Sequence, residues 1–178
     1  MNKITKWIVG AFCAVALLTS TFAATTATVK APAQTVQAEQ WTLTLGGVGN
    51  TATTSGTDTA FGADLSIGRT GHLLLPLEAG LRQSVSYGDS TTTLNTRLYS
   101  DWTVVSLFNN KLDLFAGAAV GLQYGNQKPS WEIAPEAGVR WWLKKDVAVL
   151  GRAEVPWDLD GWEFKDSVRY FLGVQVRF

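Results

Sequence analysis

The chain has 178 residues, room for one domain, and its 15 Lys+Arg balance 15 Asp+Glu, with charged residues at 17% against about 25% in ordinary soluble domains. Zero net charge excludes the basic stripe of a nucleic-acid binder, and one Cys with one His excludes disulfide frameworks and multi-His or Cys metal sites. Gly at 17 and Trp at 8, with abundant Thr and Val, argue against a soluble helical protein.

Lys3 and Lys6 precede an apolar run from Trp7 to Leu18, and small and polar residues follow up to Ala23. This is the pattern of a cleaved secretory signal peptide over residues 1–23. The run is shorter than the roughly 20 apolar residues of a spanning helix. Cys13 lies within it and leaves with it; Phe12 is too bulky for a lipoprotein site. Residues 24–39, rich in Ala, Thr, Val and Gln, have no periodicity and read as a flexible tail. Residues 40–178 form the folded domain, with no apolar run long enough for a transmembrane helix.

From Trp41 onward the dominant period is two, the signal of strands. Eight are expected, over 40–49, 60–69, 76–87, 93–105, 111–124, 131–143, 147–157 and 167–178. Breakers separate them: Asn50 to Asp58, Thr70-Gly71, Gly88-Asp89-Ser90, Asn109-Asn110, Asn126 to Ser130, Lys144-Lys145-Asp146 and Asp158 to Asp166. Globular strands usually have about five or six residues, whereas about 9–11 tilted residues cross a bilayer. Most of these strands have the second length.

Each strand has one apolar face and one face of small, polar or charged residues. A soluble barrel turns the apolar face inward and a membrane barrel turns it outward. The polar face carries Asp64, Glu78, Asp101, Asp113, Glu132, Glu136 and Glu154 against Arg82, Arg97, Arg140, Arg152, Arg169 and Arg177. Its bases are all Arg, whose planar fork suits a packed interior. Lys111, Lys128, Lys144, Lys145 and Lys165 fall at turns or strand ends. Glycines on the same face, among them Gly117 and Gly138, leave room for long side chains. Aromatic residues gather at both ends: Tyr87, Tyr124, Trp131, Trp157 and Trp162 at one, Trp41, Trp102, Trp141 and Phe178 at the other. Two interfacial belts are what a spanning barrel requires. The expected fold is all-β: an eight-stranded antiparallel up-and-down transmembrane β-barrel. Its lumen would hold an ion-pair network of Asp64, Glu78, Arg82, Arg97, Asp101, Glu136, Arg140, Arg152, Glu154 and Arg169, with opposite charges on adjacent strands.

The chain stops on Phe178, after Tyr170, Leu172, Val174 and Val176 on the same face. This alternation resembles the carboxyl-terminal signature of bacterial outer-membrane β-barrel proteins, and residues 40–178 resemble the small eight-stranded members such as OmpX and the transmembrane domain of OmpA. The resemblance implies that Tyr170, Leu172, Val174, Val176 and Phe178 are an assembly signal for the barrel assembly machinery. It also implies a Gram-negative outer-membrane location, both termini in the periplasm, and contact with lipid and lipopolysaccharide. The outward connections would be 50–59, 88–92, 125–130 and 158–166, short for that family.

Some residues depart from the pattern. Pro135 cannot donate a ladder bond, so a bulge is expected there. Gln83 and Ser100 fall on the apolar face. Glu78-Ala79-Gly80-Leu81-Arg82 recurs as Glu136-Ala137-Gly138-Val139-Arg140. Within each copy Glu and Arg lie about 13 Å apart along a strand, so their partners must come from other strands.

Nothing points to catalysis. His72 sits in a turn beside Gly71, without a Ser placed to work with it. Asp158 and Asp160 lie in an exposed loop that gives no reason for a shifted pKa. The Asp158–Glu163 segment lacks the ligands and spacing of a calcium loop. No enzyme activity, cofactor, metal or nucleic-acid partner is expected, and the chain reads as a monomer. A structural or envelope-stabilising barrel leads; a narrow porin-like channel is second, and a surface-binding, adhesin-like barrel third.

Overall fold

In the computed structural model of the chain, residues 39–52, 59–72, 75–88, 90–125, 128–165 and 167–178 are described. The expected signal peptide over 1–23, nearly all of the expected 24–39 tail and residues 53–58 lie outside them. The alternating segments form β1 (Trp41–Ala52), β2 (Thr59–His72), β3 (Pro76–Gly88), β4 (Thr91–Leu107), β5 (Leu112–Gly125), β6 (Ser130–Lys144), β7 (Val147–Glu154) and β10 (Ser167–Arg177). Two short strands, β8 (Trp157–Asp158) and β9 (Glu163–Phe164), make a hairpin between β7 and β10.

Every strand from β1 to β7 pairs antiparallel with the next, and β10 pairs with both β7 and β1. The result is a closed eight-stranded antiparallel barrel. The closing seam runs from Thr42 opposite Arg177 to Ala52 opposite Ser167. Beyond it, Trp41 and Phe178 exchange two backbone hydrogen bonds of 3.0 Å. Closure removes the unpaired edges that make open sheets prone to aggregate.

Several details differ from the sequence reading. The expected 147–157 strand is interrupted at Val155-Pro156 and resumes as β8 beside β6. Pro135 makes no bulge. It stays in register opposite Ala118 on β5, and on its other side Glu136 faces Glu154 while Ile133 faces Trp157. Pro135 and Pro156 interrupt the same stretch of ladder, so the missing donors fall together and the register survives. The Pro135 carbonyl still accepts from the Val155 N–H at 3.1 Å. Bulges occur instead at Thr103/Val105 in β4 and Trp142/Lys144 in β6. His72 ends β2 opposite Pro76 rather than lying in the turn.

The β4–β5 connection has an unusual backbone. Phe108, Asn109 and Asn110 have φ of 52°, 56° and 64°. Asn tolerates this left-handed region; Phe does not, at a cost of roughly 1–2 kcal/mol. The turn is closed by the Lys111 N–H, which donates to Leu107 O at 3.1 Å and Phe108 O at 3.3 Å.

Candidate functional site: a charged lumen inside an apolar wall

Burial is inverted. Leu45, Phe61, Leu98, Leu172 and Phe178 are 61–69% exposed on the outer wall, while Arg82 and Arg97 are 1% exposed inside. The period of two imposes this: one register parity faces out on every strand, the other in. All seven acids named on the polar face (Asp64, Glu78, Asp101, Asp113, Glu132, Glu136, Glu154) are buried in the lumen, as are Arg82, Arg97, Arg140, Arg152 and Arg169.

The two Glu-Ala-Gly-x-Arg segments face each other across the barrel. β3 and β6 run in opposite directions, so the Glu of each copy meets the Arg of the other. Arg82 grips Glu136 at 2.6 and 3.2 Å, and Arg140 donates to Glu78 at 3.0 Å. Two strands, β4 and β5, separate the partners on one side and four on the other. Pairing between adjacent strands was expected; it occurs between Arg152 on β7 and Glu136 on β6 at 3.4 Å, but these two pairs run across the lumen.

Glu78 is the most heavily bonded acid. It also accepts from Thr42 at 2.9 Å, from Tyr99 at 2.8 Å and from Gln175 at 2.8 and 2.9 Å. Glu154 joins the neighbouring layer, bridging Arg82 at 3.1 Å, Arg152 at 2.8 Å and Arg97. Arg152 further approaches Asp64 and Glu136, each at 3.4 Å. Toward the other end Arg169 forks onto Glu132 at 2.5 and 2.7 Å, and Lys165 reaches the same carboxylate at 3.6 Å. Glu78, Glu132, Glu136 and Glu154 thus each have an opposite charge and hydrogen bonds, the condition under which buried ions are tolerated.

Asp101 stands apart: among the described residues it makes no ion pair. It faces Gly117 on β5, which in turn faces Glu136 on β6. A Cβ at Gly117 would strike the Asp101 carboxylate and backbone, so only glycine fits there. Glu132, Asp113, Tyr99, Thr42, Gln175 and Lys165 also belong to the polar lumen, although the sequence reading left them out of the network. Inward parity of Glu132 and Gln175 was the available signal.

Aromatic rings interleave with the guanidiniums. Arg82 lies 4.4 Å from the Tyr99 ring centroid, Arg152 4.5 Å from Phe171 and Arg140 5.0 Å from Phe115. Gly138 makes the space for Phe115, since a Cβ there would lie 2.5 Å from its ring. Phe115, Leu150 and Phe171 form the apolar part of the lumen.

On the outside, Trp41, Trp141 and Phe178 project at the rim that holds both ends of the barrel chain, the terminal rim, and Trp102 faces Leu77 near it. Tyr87, Tyr124, Trp131, Trp157 and Trp162 mark the far rim, where Trp157 packs on Phe164 at 4.1 Å and on Trp162 at 5.5 Å. Tyr170, Leu172, Val174, Val176 and Phe178 all lie on the outer wall. Gln83 is there too, but it is not bare: its amide donates to the Tyr124 hydroxyl at 3.2 Å, and Thr96 donates to its carbonyl at 2.5 Å. Ser100 sits between Ala79 and Ala118.

At the far rim a cleft of about 460 Å³ is lined by residues including Gln123, Ser130, Asp158, Asp160 and Lys165. Among the described residues no group of His, Cys, Asp and Glu is arranged to hold a metal ion.

No protein-family model and no curated protein matches the sequence. Solved structures do match in fold. Neisserial surface protein A is 14% identical, with a TM-score of 0.55 over 79% of this chain and 97% of that one. The N-terminal β-barrel domain of Pseudomonas aeruginosa OprF is 12% identical, with a TM-score of 0.54 over 77% and 97%. The outer membrane protein OprG from Pseudomonas aeruginosa is 12% identical, with a TM-score of 0.51 over 78% and 95%. At these identities the likeness is one of architecture, and the chain has the fold of the small eight-stranded outer-membrane barrels.

Proposed function

We propose that this chain is an integral outer-membrane β-barrel with a structural, envelope-stabilising role and no enzymatic activity. The observation that carries the reading is the inverted burial, with Leu, Phe and Val on the wall and Arg and Glu inside. A continuous apolar wall of this kind is incompatible with free exposure to water and suits lipid. The strand lengths agree: β1 to β6 have 12 to 17 residues and β10 has 11, at or above the roughly 9–11 needed to cross.

The structural role rests on the plug. Eight strands leave a lumen just wide enough for side chains, and Arg82, Arg97, Arg152 and Glu154 fill it with mutual ion pairs. Export by the segment 1–23 of a Gram-negative-type bacterium, recognition of Tyr170 to Phe178 by the barrel assembly machinery, and a monomeric barrel in contact with lipid and lipopolysaccharide complete the proposal.

A narrow channel is the second reading. The far-rim cleft favours it, because Gln123 and Lys165 in its lining reach Arg169 and Glu132. Conductance of the refolded full barrel in planar bilayers separates the two. A silent membrane containing folded, heat-modifiable protein supports the plug; steady channels support the pore.

A further inference from the structure

The terminal rim carries a cationic sector whose members make no ion pair among the described residues. Arg82, Arg97, Arg140, Arg152 and Arg169 each pair with a carboxylate. Arg177 does not, among the described residues, and its buried Nε has no hydrogen-bond partner. Its guanidinium instead lies 3.6 Å from the Trp142 ring centroid. Asp113 makes no ion pair with it, its carboxylate being bonded to Ser106 at 2.6 Å and to Trp142 Nε1 at 2.7 Å, and the Glu78, Asp113 and Asp146 carboxylates act on it only at longer range.

Three exposed lysines join Arg177, and among the described residues none of them has an ion-pair partner. The Trp142 N–H donates to the Lys111 carbonyl at 2.8 Å, which sets the β4–β5 turn beside the end of β6. Lys144 and Lys145 sit in the adjoining β6–β7 turn, and the Arg177 N–H donates to the Asp146 carbonyl at 2.8 Å. Lys111, Lys144, Lys145 and Arg177 therefore share one arc of the rim. At the far rim the half-buried Lys165 is paired with Asp158 and Glu132, and the exposed Lys128 stands without an ion pair among the described residues and without a second unpaired lysine beside it.

The same arc is apolar on its wall side. Trp141 is 59% exposed, Leu143 62% and Phe108 74%. Phe108 is held out by the left-handed turn, a conformation unfavourable for it. Unpaired cations immediately beyond exposed apolar side chains match an anion that carries its own hydrocarbon.

We propose that this arc binds the headgroup of an anionic phospholipid. Lys111, Lys144 and Lys145 meet the phosphate, Arg177 adds positive potential beside Trp142, and the acyl chains lie along Phe108, Trp141 and Leu143. The proposal rests on the membrane reading above and adds a lipid preference to it. A free phosphate would use the cations alone and leave the apolar half of the arc without a role.

The test uses the full barrel refolded into phosphatidylcholine vesicles that contain a minor fraction of dibrominated lipid, either phosphatidylglycerol or phosphatidylcholine. Bromine quenches tryptophan on contact, so the difference between the two reports local enrichment. Enrichment of phosphatidylglycerol by about fivefold or more is expected, on the scale of one or more basic residues near an anionic surface. It should fall with salt and vanish in the triple variant Lys111→Gln, Lys144→Gln, Lys145→Gln. Equal quenching by the two lipids in the folded, inserted wild type would overturn the proposal and leave the membrane reading intact. An excess undiminished in the triple variant would overturn it too. So would an excess abolished by inorganic phosphate at constant ionic strength, since the ligand would then be the free ion. A chain that gives no inserted, heat-modifiable form in either vesicle would instead strike the membrane reading itself.

Discussion

Arg82 on β3 clasps both carboxylate oxygens of Glu136 on β6, at 2.6 and 3.2 Å, across the barrel. The pair ties opposite walls together, so breaking it should affect the whole barrel rather than one hairpin. Arg82→Ala or Glu136→Ala should each cost about 3–5 kcal/mol, the scale for a buried charge left without its partner. The double variant should cost less than the sum, with a coupling of roughly 0.5–3 kcal/mol. Urea unfolding of the reconstituted barrel measures both. Strict additivity would mean that the two side chains do not interact.

The same substitutions bear on permeation. Arg82→Ala removes one of the two guanidiniums that link Glu136 with Glu154, leaving Arg152. The proposed plug then has a gap, and a leak should appear in planar bilayers where the wild type is silent. An equally silent variant that remains folded would show that other side chains close the lumen.

Val120 on β5 and Val174 on β10 are exposed on the wall. Arg at either position should cost about 2–4 kcal/mol if it meets the bilayer midplane. Extraction is the simpler check: mature protein that stays soluble without detergent would contradict the membrane assignment.

Deleting Phe178 should reduce the heat-modifiable barrel in the outer membrane far more than it reduces export. Phe178 supplies both backbone bonds to Trp41 and the last apolar side chain of the outer alternation. Undiminished barrel in the deletion strain would show that neither is needed.

The far-rim hairpin should loosen in acid. Partial burial pushes the Asp158 carboxyl up, but the Asp160 N–H and the Lys165 ammonium outweigh it and hold the group below the usual carboxylate range. A depressed pKa contributes stability that is present above the unfolded value and lost as pH falls through the folded one. Amide exchange at Asp160, whose N–H donates to Asp158 at 2.9 Å, should therefore accelerate in that window, relative to its intrinsic rate. Asp158→Asn should remove the pH dependence.

The strands and their faces were legible because a period of two leaves little choice of register once one face is charged. Asp64, Arg97 and Glu154 could be sorted by parity alone. Partners could not, because parity says which way a side chain points and not how far it reaches across a narrow lumen. The crossing of Glu78 to Arg140 depends on β3 and β6 facing each other three steps apart around the barrel, a property of the closed ring. Gln83 looked misplaced for a similar reason, since Thr96 and Tyr124, which satisfy it, come from two other strands. Pro135 misled because the ladder gap it needs is shared with Pro156 across the sheet, in a neighbour the local sequence does not contain.

The seam between Trp41 and Phe178 bears on folding speed. It joins the first residue of β1 to Phe178 just beyond β10, so closure is the contact of greatest sequence separation in the barrel. All other main ladders can form hairpin by hairpin; this one must wait for β10 to be brought round to β1. A chain cut anywhere within β10 would keep two open edges, with the guanidiniums and carboxylates of the lumen facing water. High contact order slows folding, and here the slow step should be the docking of β10 between β1 and β7.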